Sequence, residues 1–131
     1  MSKQTPRRDW RLYIDDIIDF CHRVLRYTGG LNQEHFIDSG ITYDATLRNL
    51  ELIGEAASQL PDAVRNAYPE IPWRMMIATR NRIIHGYLGI DDDTVWSIIQ
   101  DDIPALLDQL KGLPDQEAFE LDPDHINKEQ D

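Results

Sequence analysis

This chain of 131 residues predicts an all-α fold, an up-and-down bundle of four to five main helices plus short turns. Apolar residues recur at three-and-four spacing in several long segments. Glycines and prolines punctuate the gaps between those segments, and no alternating pattern of useful length marks a strand.

The first helix is expected from about Asp9 to Tyr27, with Ile14, Ile17, Ile18, Cys21, Val24 and Leu25 on its inner face and Gly29-Gly30 as its stop. Asn32 caps a short helix reaching about Asp38. A third helix is predicted from near Thr42 to Leu60, with Leu47, Leu50, Ile53, Ala57 and Leu60 as its buried stripe and Pro61 as its end. Pro61 to Tyr68 reads as a brief helical turn. Pro69-Glu70-Ile71-Pro72-Trp73 is a rigid connector whose Pro72 suits a helix start. Trp73, Met76, Ile77, Ile83 and Ile84 give the next helix its apolar face, which ends at Gly86. Asp91-Asp92-Asp93 supplies a cap and favourable negative charge for a last helix from about Asp92 to Leu110. Its inner face is Val95, Ile98, Ile99, Ile103, Leu106 and Leu107, and Pro104 should kink or split it.

Composition narrows the function classes. A chain of this length forms one domain or one domain with a tail, and here residues 1–110 read as the domain and 111–131 as an acidic, flexible tail in which Phe119 and Leu121 dock weakly. Its apolar runs are too short to span a membrane, and the N-terminus lacks the apolar stretch of a signal peptide, which fits a cytoplasmic setting. Cys21 is the single cysteine, on an apolar face, so it reads as a small buried hydrophobe. The net charge is −11. All of it lies beyond residue 90, where 13 acidic side chains face 2 basic ones, whereas residues 1–90 hold 11 of each. Broad, non-specific affinity for nucleic acid is therefore not expected, any RNA substrate should be a particular structure, and no DNA partner is expected. A local cluster such as Arg74, Arg80 and Arg82 near His85 can still hold phosphate.

The richest segment is Arg80-Asn81-Arg82-Ile83-Ile84-His85-Gly86-Tyr87. Arginine offers a planar fork of donors that matches phosphate oxygens and keeps its charge, and histidine can take and return a proton near neutrality. Together they suit cleavage of a phosphodiester by its neighbouring ribose 2′-hydroxyl, with no metal required. The same residue types also fit a plain helix end, because cations favour helix C-termini and glycine ends helices. In a regular helix Arg80 and His85 stand about 140° apart, whereas Asn81 and His85 nearly align, as do Arg80 and Tyr87. One straight helix cannot aim Arg80 and His85 at one small target. Either the helix distorts or ends before His85, or two copies of the motif meet in a dimer.

The segment resembles the motif of the HEPN superfamily, specifically its HepT-like ribonuclease toxins: Arg, four residues, His, one residue, Tyr, with a polar residue directly after the arginine. The resemblance extends through Leu47-Arg48-Asn49-Leu50-Glu51-Leu52-Ile53-Gly54-Glu55-Ala56-Ala57, Pro69-Glu70-Ile71-Pro72-Trp73, His85-Gly86-Tyr87-Leu88-Gly89-Ile90-Asp91, Val95-Trp96 and Asp102-Ile103-Pro104, covering about residues 9–110. It implies an all-helical homodimer acting as a metal-independent endoribonuclease without cofactor, with transfer RNA among the candidate substrates. It further implies the toxin of a type VII toxin–antitoxin pair, whose partner is a minimal nucleotidyltransferase that adds AMP to the motif tyrosine. Carried over, Arg80 and His85 are the catalytic pair, Asn81 a polar helper and Tyr87 the modified residue, with Arg74 and Arg82 as further phosphate contacts. The alternative is a non-catalytic nucleotide- or partner-binding subunit of a two-component nucleotidyltransferase.

Other residues read as structural. Glu55 is expected as a buried carboxylate pairing with Arg48 or Arg82, and Gly54 as a point of close helix approach. His22 and His35 read as surface residues, His125 falls in the tail, and no metal site is expected. Trp73 and Trp96 suit core or dimer-interface anchors.

Overall fold

The structure, a computed structural model, describes residues 9–86 and 90–114. The bundle consists of α1 (Trp10–Thr28), α2 (Gln33–Asp38), α3 (Gly40–Ser58), α4 (Asp62–Ala67), α5 (Trp73–Ile84), α6 (Asp92–Ser97), a single π-helical stretch (Ile98–Asp102) and α7 (Ile103–Lys111). Among the described residues there is no strand, and no helix is long and apolar enough to cross a membrane.

Local chemistry explains several helix starts. The Asp9 carboxylate accepts from the Arg11 amide at 3.0 Å, Asn32 from the His35 amide at 2.8 Å and Asp91 from the Thr94 amide at 2.8 Å, so one orphan donor at each of these three helix starts has a side-chain acceptor. After α1 the chain turns at Gly30, whose φ of 82° lies in the left-handed region that glycine tolerates. The remaining aspartates of the Asp91-Asp92-Asp93 run tie the start of α6 to α3 and α2: Tyr43 donates to Asp92 at 2.8 Å and Gln33 to Asp93 at 2.5 Å.

α3 lies at the centre, with α1 and α5 packed against it and α7 packed on α1. Tyr43, near the start of α3, reaches Asp92 beyond the end of α5, and Gly54, nearer its end, packs on Met76 and Arg80. The two helices therefore run antiparallel. Ile14, Ile17, Cys21 and Val24 of α1 meet Leu50, Ile53 and Ala57 of α3, Met76 of α5 and Ile99, Ile103 and Leu106 in one buried core. Burial raises the Cys21 thiol to about 12, which suits an inert apolar role. The short helices are pinned by single anchors. Phe36 of α2 is fully buried, with ring centroids 5.2 Å from Tyr43 and 5.5 Å from Trp96, and Val64 does the same for α4. Trp73 is buried with its indole N–H on the Tyr68 carbonyl at 3.0 Å.

One expectation is refined and another changes. Of the kink or split expected at Pro104, the structure shows no break but a π-helical turn, Ile98–Asp102, which interrupts the α-helical run just before the proline, with the Ile103 amide bonded to the Ile98 carbonyl. Proline lacks the amide hydrogen and crowds the carbonyl four residues earlier, and a wider turn there relieves both problems. Ile84 does not join the inner face. It stands about 80° round the helix from Met76, whereas Ile83 nearly aligns with it, and Ile84 is 47% exposed. Thr79 takes the inner position instead. The expected tail, with Phe119, Leu121 and His125, lies outside the described residues beyond its first positions; α7 ends at Lys111.

Candidate active site

The seam between α3 and α5 is built on a missing side chain. A Cβ at Gly54 would lie 2.3 Å from the Arg80 Cβ and 2.5 Å from the Met76 carbonyl oxygen. Glycine alone allows the backbones to meet here, and the space it leaves is filled by the stem of Arg80. Beyond that seat the guanidinium spreads between two acceptors. Nη2 lies 2.8 Å from the Glu55 carboxylate on α3, and Nη1 donates to the Asn81 side-chain oxygen at 2.9 Å. Glu55 is thus not the buried partner of Arg48 or Arg82. Arg48 pairs with Glu51 at 3.0 Å one turn away, and the Glu55 side chain is 49% exposed. Arg82 is exposed and lies on the side of Asp91, whose carboxyl is held below its usual range by the Thr94 amide and hydroxyl, with a smaller pull from Arg82.

Energetics argue that Arg80 is not there for stability. Its ion pair with Glu55 is partly exposed and contributes about 0–1 kcal/mol. Its Nε, buried against α3, has no hydrogen-bond partner among the described residues, and a buried donor left so costs about 1–3 kcal/mol. An apolar side chain of similar reach would satisfy this seat better. Replacing Arg80 with methionine should therefore leave the thermal midpoint unchanged or raise it, measured by circular dichroism at matched protein concentration. A clear drop in the midpoint would show that the ion pair stabilises the fold after all.

α5 ends at Ile84, so His85 is its cap residue, at φ −90° and ψ 41°. Its amide donates to the Asn81 carbonyl at 3.1 Å, and its ring Nδ1 lies 2.7 Å from the same oxygen. A carbonyl only accepts, so this contact requires the hydrogen on Nδ1. In the neutral ring the lone pair then sits on Nε2, the nitrogen turned away from the helix end, which is the one able to accept a proton. Asn81 serves both members of the pair: its side chain accepts from Arg80 and its carbonyl holds His85. Asn81, which the resemblance implied only as a polar helper, thus links the two residues.

The other expected contributors are apart from this centre. Arg74 opens α5 and is exposed, about 16 Å along the helix axis from His85. Tyr87 lies outside the described residues. His22 and His35 are exposed, and among the described residues no three His, Cys, Asp or Glu side chains group as a metal site.

Comparison with known proteins identifies the family. The family model described as ribonuclease HepT-like matches residues 17–113. The chain is 34% identical over 107 residues to a provisionally named ribonuclease HepT of Thermococcus cleftensis, covering 82% of this chain and 97% of that one. It is 33% identical over 108 residues to a provisionally named RNase of Methanocaldococcus jannaschii, covering 82% and 89% respectively. A provisionally named RNase of Caldanaerobacter subterraneus subsp. tengcongensis is 31% identical over 114 residues, covering 87% and 98%. No solved structure matches. With the helical bundle, the Arg80–Asn81–His85 linkage and these matches together, the chain belongs to the ribonuclease HepT-like family.

Proposed function

We propose that the protein is a metal-independent endoribonuclease in which His85 and Arg80 cleave RNA. The single observation that carries this is the hydrogen bond from His85 Nδ1 to the Asn81 carbonyl, which leaves Nε2 free to act as a base, while the side chain of the same Asn81 holds Arg80. Nε2 takes the proton of a ribose 2′-hydroxyl, and that oxygen attacks the adjacent phosphorus. The bond from phosphorus to the 5′-oxygen breaks, giving a 2′,3′-cyclic phosphate and a 5′-hydroxyl once the leaving oxygen is protonated. Arg80 supplies fixed positive charge to the non-bridging oxygens as charge builds on them.

A second acid must protonate the leaving oxygen, and a homodimer with two copies of the motif in one cleft supplies it. Exposed apolar side chains support that assembly: Ile84 is 47% and Ile41 88% exposed. They sit at the end of the antiparallel α3–α5 pair that also carries His85. Residues 1–110 form the catalytic domain in this reading, and the acidic tail is a separate appendage. Transfer RNA is a candidate substrate.

The protein is further the toxin of a two-gene pair, with a minimal nucleotidyltransferase as antitoxin. Adding AMP to Tyr87, two residues beyond His85, would put phosphate charge and bulk where the RNA backbone must approach. Co-expression with an active cognate nucleotidyltransferase should raise the mass of the Tyr87 peptide by one or more AMP units, and Tyr87→Phe should stay unmodified. An unchanged peptide would remove this control from the proposal.

The test of the activity is direct. Purified protein incubated with total RNA in EDTA should produce fragments with 2′,3′-cyclic phosphate ends. A protein that cleaves no RNA yet binds the nucleotidyltransferase tightly would instead be the partner-binding subunit.

A further inference from the structure

We propose that the cavity between α4 and the start of α5 is a second RNA-binding subsite, taking a phosphate of the strand several nucleotides from the bond that is cut. This rests on the ribonuclease reading above. The cavity measures about 570 Å³, within the range of small-molecule and nucleotide sites. Arg65, Asn66 and Arg74 supply its donors, and the Asp62 carboxylate also lines it. Asp62 is paired with Arg65, but its side chain is 80% exposed, so a phosphate can replace it at little cost. Arg65 and Arg74 against Asp62 leave one excess positive charge. The other cavity described on the bundle, about 350 Å³ and lined by Gln33, Glu34, Ile37 and Asp38, offers two acids and no cation. RNA would be repelled there.

Position is the second argument. On α5, Arg74, Ala78 and Asn81 follow one another at four- and three-residue steps and so share one face, all exposed. The next position on that stripe is His85, whose ring is drawn back onto the Asn81 carbonyl. A single exposed face therefore runs from the cationic cavity to the proton-accepting nitrogen. Ala78 keeps its middle low and uncharged. The span of about 16 Å corresponds to about five stacked nucleotides at ~3.4 Å each, and fewer in an extended strand.

Chemistry limits what the subsite reads. Trp73 forms a wall of the cavity, but its ring is buried and its indole N–H is used by the Tyr68 carbonyl. No aromatic face is offered to a base, so the contacts fall on phosphate and sugar and carry no base sequence. The subsite selects for length of strand.

Binding to the full-length His85→Ala protein, which holds RNA without cutting it, tests this. Labelled single strands of about 12 nucleotides and a trinucleotide serve as probes in fluorescence anisotropy. Adding Arg74→Ala should weaken binding of the longer strand about five- to tenfold and lower the slope of log affinity against log salt by about 0.7. Arg65→Ala should act in the same direction, Arg74→Lys should restore much of the loss, and the trinucleotide should lose little. Arg23→Ala, which removes an exposed cation from α1, controls for general charge. Equal loss for both probes, or a loss no greater than that of Arg23→Ala, overturns the subsite. If the wild-type protein cleaves nothing but long-strand binding still depends on Arg74, the ribonuclease reading fails and the cavity stands only as an RNA-phosphate site, not as a subsite of cleavage. Absence of any RNA binding ends both.

Discussion

His85→Ala should lower the rate of RNA cleavage by at least about 100-fold while leaving the fold in place. The side chain is exposed and its one hydrogen bond is to a carbonyl that also accepts from the His85 backbone amide, so truncation buries no unpaired group. The stability change should stay within about 0.5 kcal/mol. Loss of activity with an unchanged unfolding midpoint separates chemistry from folding. Added imidazole should recover part of the rate, since a free ring can enter the space and accept the 2′-hydroxyl proton. Retention of more than about a tenth of wild-type activity would place the base elsewhere. The measurement belongs on long and short strands alike, because proton transfer is needed whatever the length bound.

What was legible in the sequence follows the range of the interactions involved. Caps at Asp9, Asn32 and Asp91 depend on two or three neighbouring residues, and these helix starts follow the sequence pattern closely. The inner faces of α1 and of the α6–α7 run follow from helical period, because each faces one core. Helical angles also showed that a straight helix could not join Arg80 to His85, and α5 indeed stops at Ile84. The partner of Arg80 was not legible. Glu55 has Arg48 within two turns on its own helix, and local pairs are what a single helix suggests. Its real partner depends on how α3 and α5 slide past each other, and only packing fixes that register. Ile84 was misplaced for a different reason: its residue type says core, but its helical angle from Met76, which the sequence does contain, turns it outward. The Gly54 cue was readable as close approach, and the structure adds that the close neighbour is Arg80 itself.

That adjacency gives the second large effect. Gly54→Ala sits inside a 19-residue helix, where alanine is ordinarily better than glycine by about 0.5–1 kcal/mol. Helix propensity alone therefore predicts a more stable protein. The contacts predict the reverse, because the new methyl would lie 2.5 Å from the Met76 carbonyl and 2.3 Å from the Arg80 Cβ. A backbone oxygen cannot rotate away, so α3 and α5 must move apart, and overpacking of this kind costs about 1–3 kcal/mol. The clash exceeds the propensity gain, and urea unfolding should show a net loss of about 1–2 kcal/mol, read at matched concentration because the proposed dimer would make the midpoint depend on it. Cleavage should fall further than stability does. Moving α5 lifts Arg80 from its seat and separates it from Glu55, and a shift of about 1 Å in a positioned charge can cost about 100-fold in rate. Arg80→Met in the same background distinguishes the two consequences. It should leave the stability loss largely in place, since the Met76 carbonyl remains in the way, while removing the activity that is left. An unfolding midpoint equal to or above wild type for Gly54→Ala would mean that the helices do not meet at this glycine, and the seat assigned to Arg80 would go with it.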